Sequence, residues 1–126
     1  MKKLIVDLDG TITKADTNDY INVSPNLEVI KQLRYYKELG YSITIHTARN
    51  MRTYEGNVGK INIFTLPIIT AWLEKHQVPF DEILVGKPWC GHDGFYIDDR
   101  AIRPSEFSAL SINEIEELLA KEKQCS

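Results

Sequence analysis

The sequence has few cysteines, no excess of positive charge and no long apolar run at its start, and each of these absences argues against a class of protein. Two cysteines in 126 residues are too few for the disulfide framework of a small secreted domain. A net charge of −3 argues against a nucleic-acid partner, because such partners usually select basic surfaces. Asp7 interrupts the first apolar run, so the sequence predicts neither a signal peptide nor a membrane span. We therefore expect a cytoplasmic protein with no nucleic-acid or membrane partner.

The length and composition are those of one globular domain. The chain is 43% hydrophobic and 26% charged, and at this length roughly two-thirds of the unfolded surface is buried on folding. We predict a single domain over residues 1–126. Nothing in the composition decides the oligomeric state, so a homo-oligomer stays open.

Alternating strand-like and helix-like segments predict an α/β fold. Short β-branched runs predict strands at 3–8, 42–47, 83–85 and 95–97. Helices are predicted from the Ser24-Pro25 start to Gly40, over 65–77, and after the capping box of Ser111 and Glu114. This order predicts a sandwich of helices around a mostly parallel sheet.

Two polar stretches are predicted to be loops at the site. They cover residues 10–24, a flap after the first strand, and residues 49–64, a long loop after the second strand. A long loop in a compact domain is more often functional than idle. We therefore expect both loops to shape the entrance to a site.

The first predicted strand ends in two carboxylates, Asp7 and Asp9, followed by Gly10 and Thr11. Unpaired charges are costly to bury, so two acids at a buried strand end predict a nearby cation. Residues i and i+2 of a strand face the same side, so the two acids would converge if the strand continued that far. Gly10 would allow a sharp turn directly after them.

Polar side chains also stand at or just after the ends of the other predicted strands: Thr47 at the end of the second, Lys87 after the third, and Asp98 and Asp99 after the fourth. Parallel strands bring such ends to one edge of the sheet. Two like charges about 4 Å apart repel by about 4 kcal/mol at an effective dielectric near 20, so the acids need cations. Lys87 and Mg²⁺, which prefers oxygen ligands, would supply them. Such a set suits phosphoryl transfer.

Four spaced motifs carry a family resemblance: Asp7-Leu8-Asp9-Gly10-Thr11, Thr47, Lys87-Pro88 and Asp98-Asp99. With them the chain resembles the haloacid dehalogenase (HAD) superfamily, in its small phosphatase type without a large cap domain. The resemblance implies a Rossmann-like three-layer sandwich and a Mg²⁺-dependent phosphatase that forms an aspartyl-phosphate. Segments 47–50 and 86–91 are similar to members associated with capsular polysaccharide synthesis. That likeness suggests a sugar phosphate or another small phosphorylated metabolite as substrate.

The resemblance also implies a role for each motif residue. Asp7 would be the nucleophile. Asp9 would protonate the leaving oxygen and then activate water. Thr47 would hydrogen-bond a phosphoryl oxygen, and Lys87 would offset charge on the nucleophile and on the transferring group.

Metal and phosphate ligands follow from the same resemblance. Mg²⁺ would be held by Asp7, the backbone carbonyl of Asp9, and Asp98, with Asp99 acting through a water or orienting Lys87. Backbone amides around Leu8 and Ala48 would cradle phosphate oxygens. Arg49 is a further candidate, because an anionic substrate favours a nearby guanidinium.

Several alternatives stay open. A phosphotransferase or mutase would use the same intermediate, although the sequence shows no lid that would exclude water. In a receiver-like signalling domain the phospho-acceptor would end a later strand, whereas no lone Asp ends strand two or three. A catalytically inactive binding module is the remaining alternative. Cys90 and His92 are too few for a closed zinc site, and their role is open.

Overall fold

The computed structural model describes residues 2–14 and 18–125. They form two compact units, one up to Trp89 and one from Cys90 onward. The first unit contains β1 (Lys3–Val6), α1 (Leu27–Glu38), β2 (Ser42–His46), α2 (Val58–Phe64), α3 (Leu66–Lys75) and β3 (Glu82–Leu84). The second contains α4 (Pro104–Ala109) and α5 (Ile112–Cys125). No helix in the described part of the chain combines the length and the apolar character that crossing a membrane requires.

The sheet of the first unit is parallel and has the order β1-β2-β3. Val6 pairs with Ile45 of β2, which in turn pairs with Ile83 of β3. Parallel neighbours need long crossovers, and α1 and the α2–α3 pair lie in the two crossover segments. The α/β class and the Rossmann-like parallel sheet predicted from the sequence are confirmed. No cap domain is evident among the described residues.

The core of the first unit lies between β2 and the helices. Ile43 and Ile45 of β2 are fully buried. The helices α1 and α3 bury an apolar stripe each, made of Val29, Ile30, Leu33 and Tyr36 on α1 and of Ile69, Trp72 and Leu73 on α3. Trp72 also donates from its indole nitrogen to the carbonyl of Val23 at 2.9 Å, which anchors the segment before α1.

The start of α1 differs from the prediction. Asn26, not Ser24, is the N-cap, and its side chain accepts from the amide of Val29 at 3.4 Å. Pro25 instead forms an isolated antiparallel bridge with Thr13. The predicted flap at 10–24 is non-helical where it is described, and its residues 15–17 lie outside the described residues.

The predicted long loop at 49–64 is wrong in its second half, which forms α2. Asn57 caps this helix by accepting from the amide of Lys60 at 3.1 Å, and Ile61 is fully buried. One buried apolar residue gave too weak a periodic signal to predict a seven-residue helix. The cap and the burial of Ile61 together stabilise it.

The predicted fourth strand at 95–97 is also wrong, because the described residues of the second unit contain no strand. Gly91 and Gly94 precede the segment, and Phe95 and Ile97 are 75% and 87% exposed. An apolar run becomes a strand only where a neighbouring strand accepts its hydrogen bonds. The second unit offers none within its own described residues.

The N-terminal cap of α5, in the second unit, agrees with the sequence-based prediction. The predicted capping box before α5 is confirmed: the amide of Ser111 donates to the Glu114 carboxylate at 2.9 Å, and the amide of Glu114 donates to the Ser111 hydroxyl at 3.2 Å. These hydrogen bonds lower the pKa of Glu114. Helix α4 was not predicted. It begins at Pro104 and places Glu106 where it accepts from the Arg103 amide at 2.9 Å.

Asp81 ties three elements of the first unit together. Its carboxylate accepts from Lys37 of α1 at 2.6 Å and from the amide of Ile43 in β2 at 2.7 Å. Its own amide donates to the carbonyl of Ile43 at 2.8 Å, just before β3 begins. The hydrogen bonds from Lys37 and Ile43 lower the pKa of Asp81.

Asp81→Asn should destabilise the protein in a pH-dependent way. A carboxyl with a lowered pKa in the folded state adds stability above its unfolded pKa, and this stability is lost as pH falls through the folded pKa. The variant should therefore unfold more easily than wild type in urea near pH 7, with a deficit that shrinks below about pH 4. Glu38→Gln, on the exposed face of α1, is the matched control. A deficit of Asp81→Asn that stays constant down to about pH 3 would contradict the charge-based role.

Candidate active site

Asp7 directly follows β1 and is held by two donors. The hydroxyl of Thr11 donates to one carboxylate oxygen at 3.2 Å, and the ammonium of Lys87 lies 3.4 Å from the other. The Asp7 side chain is 35% exposed, so a ligand can reach it. The carboxylate is thus oriented, partly compensated in charge and open to solvent, which are the properties that a carboxylate nucleophile needs.

A tight turn, rather than strand alternation, positions the two acids. Because β1 ends at Val6, the strand does not continue to Asp9 and the alternation argument does not apply. The buried Leu8 carbonyl instead accepts from three successive amides, those of Thr11, Ile12 and Thr13, at 2.9 to 3.2 Å. Gly10 has a φ of 80°, which a glycine adopts without strain. The turn gives Asp7 and Asp9 different partners.

Asp9 forms a bidentate ion pair with Arg49, forty residues further along the chain. The Nε and Nη2 atoms of Arg49 donate to the two carboxylate oxygens at 3.0 and 2.7 Å. The Arg49 side chain is 1% exposed and that of Asp9 is 22% exposed. Paired hydrogen bonds of this kind are short and directional, so they fix the orientation of Asp9.

Arg49 makes two further contacts that place it. Its amide donates to the hydroxyl of Thr47 at 3.1 Å, and its guanidinium carbon lies 4.1 Å from the centre of the Tyr20 ring. Its third nitrogen, Nη1, is buried and has no hydrogen-bond partner among the described residues. The guanidinium therefore retains donor capacity beside Asp9.

Backbone hydrogen bonds join the segments that follow β2 and β3. The amide of Thr47 donates to the carbonyl of Leu84 at 2.9 Å, and the amide of Lys87 donates to the carbonyl of Thr47 at 3.1 Å. Thr47 is buried, and its hydroxyl, which accepts from the Arg49 amide, still has a proton to donate. Asp7, Asp9, Thr47, Arg49 and Lys87 are thus linked at the carboxyl edge of the sheet.

The remaining predicted site residues fall outside this linked set. Leu8 is fully buried, and the carbonyl of Ala48 accepts from the amide of Met51 at 3.0 Å. Asp98 and Asp99 belong to the second unit and are exposed, and the amide of Arg100 donates to Asp98 at 2.8 Å. Their part in a metal site stays a prediction.

The described residues offer only a few oxygen ligands for the predicted Mg²⁺. Among residues 2–14 and 18–125, no three or more His, Cys, Asp or Glu side chains are grouped so that they could hold a metal ion. Mg²⁺ is commonly bound by only one or two carboxylates, with waters and substrate phosphate completing its shell. A partly exposed Asp7 and the backbone carbonyl of Asp9 are oxygen donors of the right kind, so the residues present fit this ion.

Two residues of the site were not predicted from the sequence: Thr11, which donates to Asp7, and Tyr20, whose ring lies over the guanidinium of Arg49. For Thr11 the sequence did offer a signal, since a hydroxyl four residues after Asp7 in the first motif can donate to its carboxylate. For Tyr20 the only signal was an aromatic residue in the predicted flap, which has no fixed spacing to Arg49. The pairing of Arg49 with Asp9 could not be predicted from the sequence either, because it depends on how β1 and β2 are aligned.

Comparison with known proteins relates the chain to one solved structure at high identity. A protein from Vibrio cholerae, described only as an MCSG target, is 74% identical with a TM-score of 0.95, over 97% of this chain and 99% of that chain. The chain belongs to the same protein family as this Vibrio cholerae protein. No family model and no curated protein matches the chain.

Two other solved structures are similar only at a distance. A chain of the Pnkp1/Rnl/Hen1 RNA repair complex is 19% identical with a TM-score of 0.47, over 96% of this chain and 32% of that chain. A chain of a Pnkp1/Rnl/Hen1 complex is 22% identical with a TM-score of 0.49, over 86% and 34%. The chain thus spans about a third of these proteins, and so distant a likeness does not bear on function.

Gly86 directly precedes Lys87, and we expect its replacement by alanine to destabilise the protein. Its φ is 86°, and a Cβ atom there would lie 3.0 Å from a methyl carbon of Val58 in α2. Gly86→Ala should lower the free energy of unfolding by about 1–2 kcal/mol for the left-handed backbone, and by more for the contact.

Gly40→Ala is the matched control, because Gly40 also has a positive φ but no atom within 4 Å of its added Cβ. Denaturant unfolding of both variants separates backbone strain from steric contact. Equal losses in the two variants would show that the contact with Val58 is harmless.

Proposed function

We propose that the chain is a Mg²⁺-dependent phosphomonoesterase of the HAD type that acts through an aspartyl-phosphate on Asp7. The supporting observation is the linked set at the carboxyl edge of the sheet, where Lys87 lies 3.4 Å from Asp7 and Arg49 holds Asp9. The motif resemblance supplies the reaction class. A small phosphorylated metabolite, such as a sugar phosphate, is the proposed substrate, and the cytoplasm is the proposed location.

In the first step, a carboxylate oxygen of Asp7 attacks phosphorus while the bond to the leaving oxygen breaks. Asp9 enters this step in its protonated form, with the proton on a lone pair that Arg49 does not occupy, and gives that proton to the leaving oxygen. In the second step, water attacks the phosphorus of the aspartyl-phosphate, Asp9 takes a proton from the water, and the bond to Asp7 breaks to release inorganic phosphate. Lys87 offsets negative charge on Asp7 and on the transferring group in both steps.

Arg49 acts as a positioning residue for Asp9 in this scheme. Each oxygen of the Asp9 carboxylate accepts one hydrogen bond from Arg49, and each oxygen has a second lone pair. That second lone pair is available for the proton that moves to or from the substrate. Thr47 would donate its hydroxyl proton to a phosphoryl oxygen, since its own oxygen already accepts from the Arg49 amide.

Mg²⁺ would be held by Asp7 and the backbone carbonyl of Asp9, with Asp98 and Asp99 as the further proposed acids. When bound, it would offset negative charge on the phosphoryl oxygens and orient the phosphate. The ammonium of Lys87 and the hydroxyl of Thr11 take one oxygen of Asp7 each, which keeps the carboxylate in a defined orientation.

Hydrolysis is favoured over the phosphotransferase alternative because Asp7 is 35% exposed, so water can reach its phosphorylated form. A receiver-like domain is less well supported, because Thr47 follows β2 and Val85 follows β3, where a phospho-acceptor Asp would stand. The inactive-module alternative is disfavoured by the presence of every expected catalytic residue type.

Phosphatase activity should depend on Mg²⁺ and on Asp7. Hydrolysis of an aryl phosphate should stop on chelation, return with Mg²⁺, and fall by about a thousandfold or more in Asp7→Asn, which lacks the nucleophile. Asp81→Asn, at the opposite end of the sheet, is the matched control and should keep the wild-type rate below its unfolding range. Activity indifferent to the chelator, or a nearly normal rate for Asp7→Asn, would rule out the mechanism.

The acid role of Asp9 predicts a loss that depends on the leaving group. Asp9→Asn should lower kcat/KM by about 10²–10⁴-fold for alkyl phosphates, which need protonation, and by much less for 4-nitrophenyl phosphate. Breaking the pair with Arg49 affects all substrates alike, so the ratio between them isolates proton transfer. An equal loss for both substrates would contradict the acid role.

A further inference from the structure

The Nη1 atom of Arg49 is a buried donor that the proposed reaction does not use. The Arg49 side chain is 1% exposed, and Nη1 has no hydrogen-bond partner among the described residues. A buried polar group without a partner carries a desolvation cost, so an acceptor that reached it would bind favourably. The atom therefore points to a missing acceptor beside Asp9.

The geometry of a guanidinium limits where that acceptor would sit. The group is planar, and its side edge is formed by Nε and Nη2, both of which donate to Asp9. The end edge is formed by Nη1 and Nη2 and matches the two oxygens of a carboxylate or phosphate. The Tyr20 ring lies over the guanidinium carbon at 4.1 Å. It covers a face of the group, whereas the N–H bonds point outward in its plane.

We propose that the end edge of Arg49 binds a second anionic group of the substrate, a carboxylate or a second phosphate, and so selects substrates that carry one. The inference rests on the proposed function and deepens it. In the proposed reaction the phosphoryl group meets Asp7, Lys87 and the Thr47 hydroxyl, whereas the guanidinium of Arg49 is paired with Asp9. The proposed reaction uses no donor of the end edge of Arg49, so this edge is assigned to a second group of the substrate.

Binding at this edge requires a neighbouring side chain to move, because Nη1 is buried. Tyr20 is the neighbour in contact with the guanidinium, and it is only half-buried. Movement of its ring off the guanidinium face would make room for an anionic group to approach Nη1 while the pair with Asp9 stays in place. The second anionic group would then hold the substrate without disturbing the residue that moves the proton.

The test compares matched esters: phenyl phosphate, 3-carboxyphenyl phosphate and benzene-1,3-diyl bisphosphate. We expect wild type to prefer at least one of the two doubly anionic esters by about tenfold or more in kcat/KM. The two esters distinguish a carboxylate from a second phosphate as the group bound. In Arg49→Lys, which keeps the charge but loses the planar edges, that preference should fall by about tenfold. Arg52→Gln, an exposed cation of the same loop, is the matched control and should keep the preference.

A binding measurement separates this inference from the proposed function. Calorimetry with benzylphosphonate and its 3-carboxy and 3-phosphono derivatives should show the same preference in wild type and its loss in Arg49→Lys. If no ester is hydrolysed but the binding preference is present, the proposed function fails and the Arg49 inference stands. If wild type shows no preference, or if Arg49→Lys weakens all three ligands by one factor, the inference is overturned. Absence of a preference in wild type overturns the inference even if the variant does not fold.

Discussion

A buried guanidinium holds the candidate site together, because Arg49 connects the turn after β1 to the segment after β2 through Asp9. Removing one partner of a buried ion pair leaves the other charge uncompensated, which costs about 3–5 kcal/mol. Asp9 is therefore a structural partner as well as the proposed acid and base. The two roles are compatible because the ion pair orients the carboxylate and leaves part of its lone-pair capacity unused.

The parts of the fold that follow from local pattern could be predicted from the sequence. The three strands of the first unit lie within one or two residues of the predicted ranges, because short β-branched runs give a clear signal. The capping box of Ser111 and Glu114 was equally visible, since both partners lie three residues apart. The proximity of Asp7 and Lys87 follows from a general rule about the ends of parallel strands, applied across eighty residues.

The remaining features depend on tertiary contacts that no short pattern encodes. Helix α2 forms around one buried residue, Ile61, and the 95–97 segment has strand-forming side chains but no strand in its own unit. The pairing of Arg49 with Asp9 arises from the parallel alignment of β1 with β2 and from the turn at Leu8. Such contacts can be identified only from the three-dimensional structure, in which the strands are already paired.

The short strand β3 is anchored on both flanks: the amide of Asp81 before it donates to Ile43 of β2, and the amide of Lys87 after it donates to Thr47, which directly follows β2. Within it, Glu82 and Leu84 are about half-exposed. Inserting one residue would carry the lysine about 3.3 Å along the strand direction, away from a carboxylate it now meets at 3.4 Å. Natural variation in this stretch should therefore leave the number of residues unchanged, even where a side chain such as Leu84 is replaced.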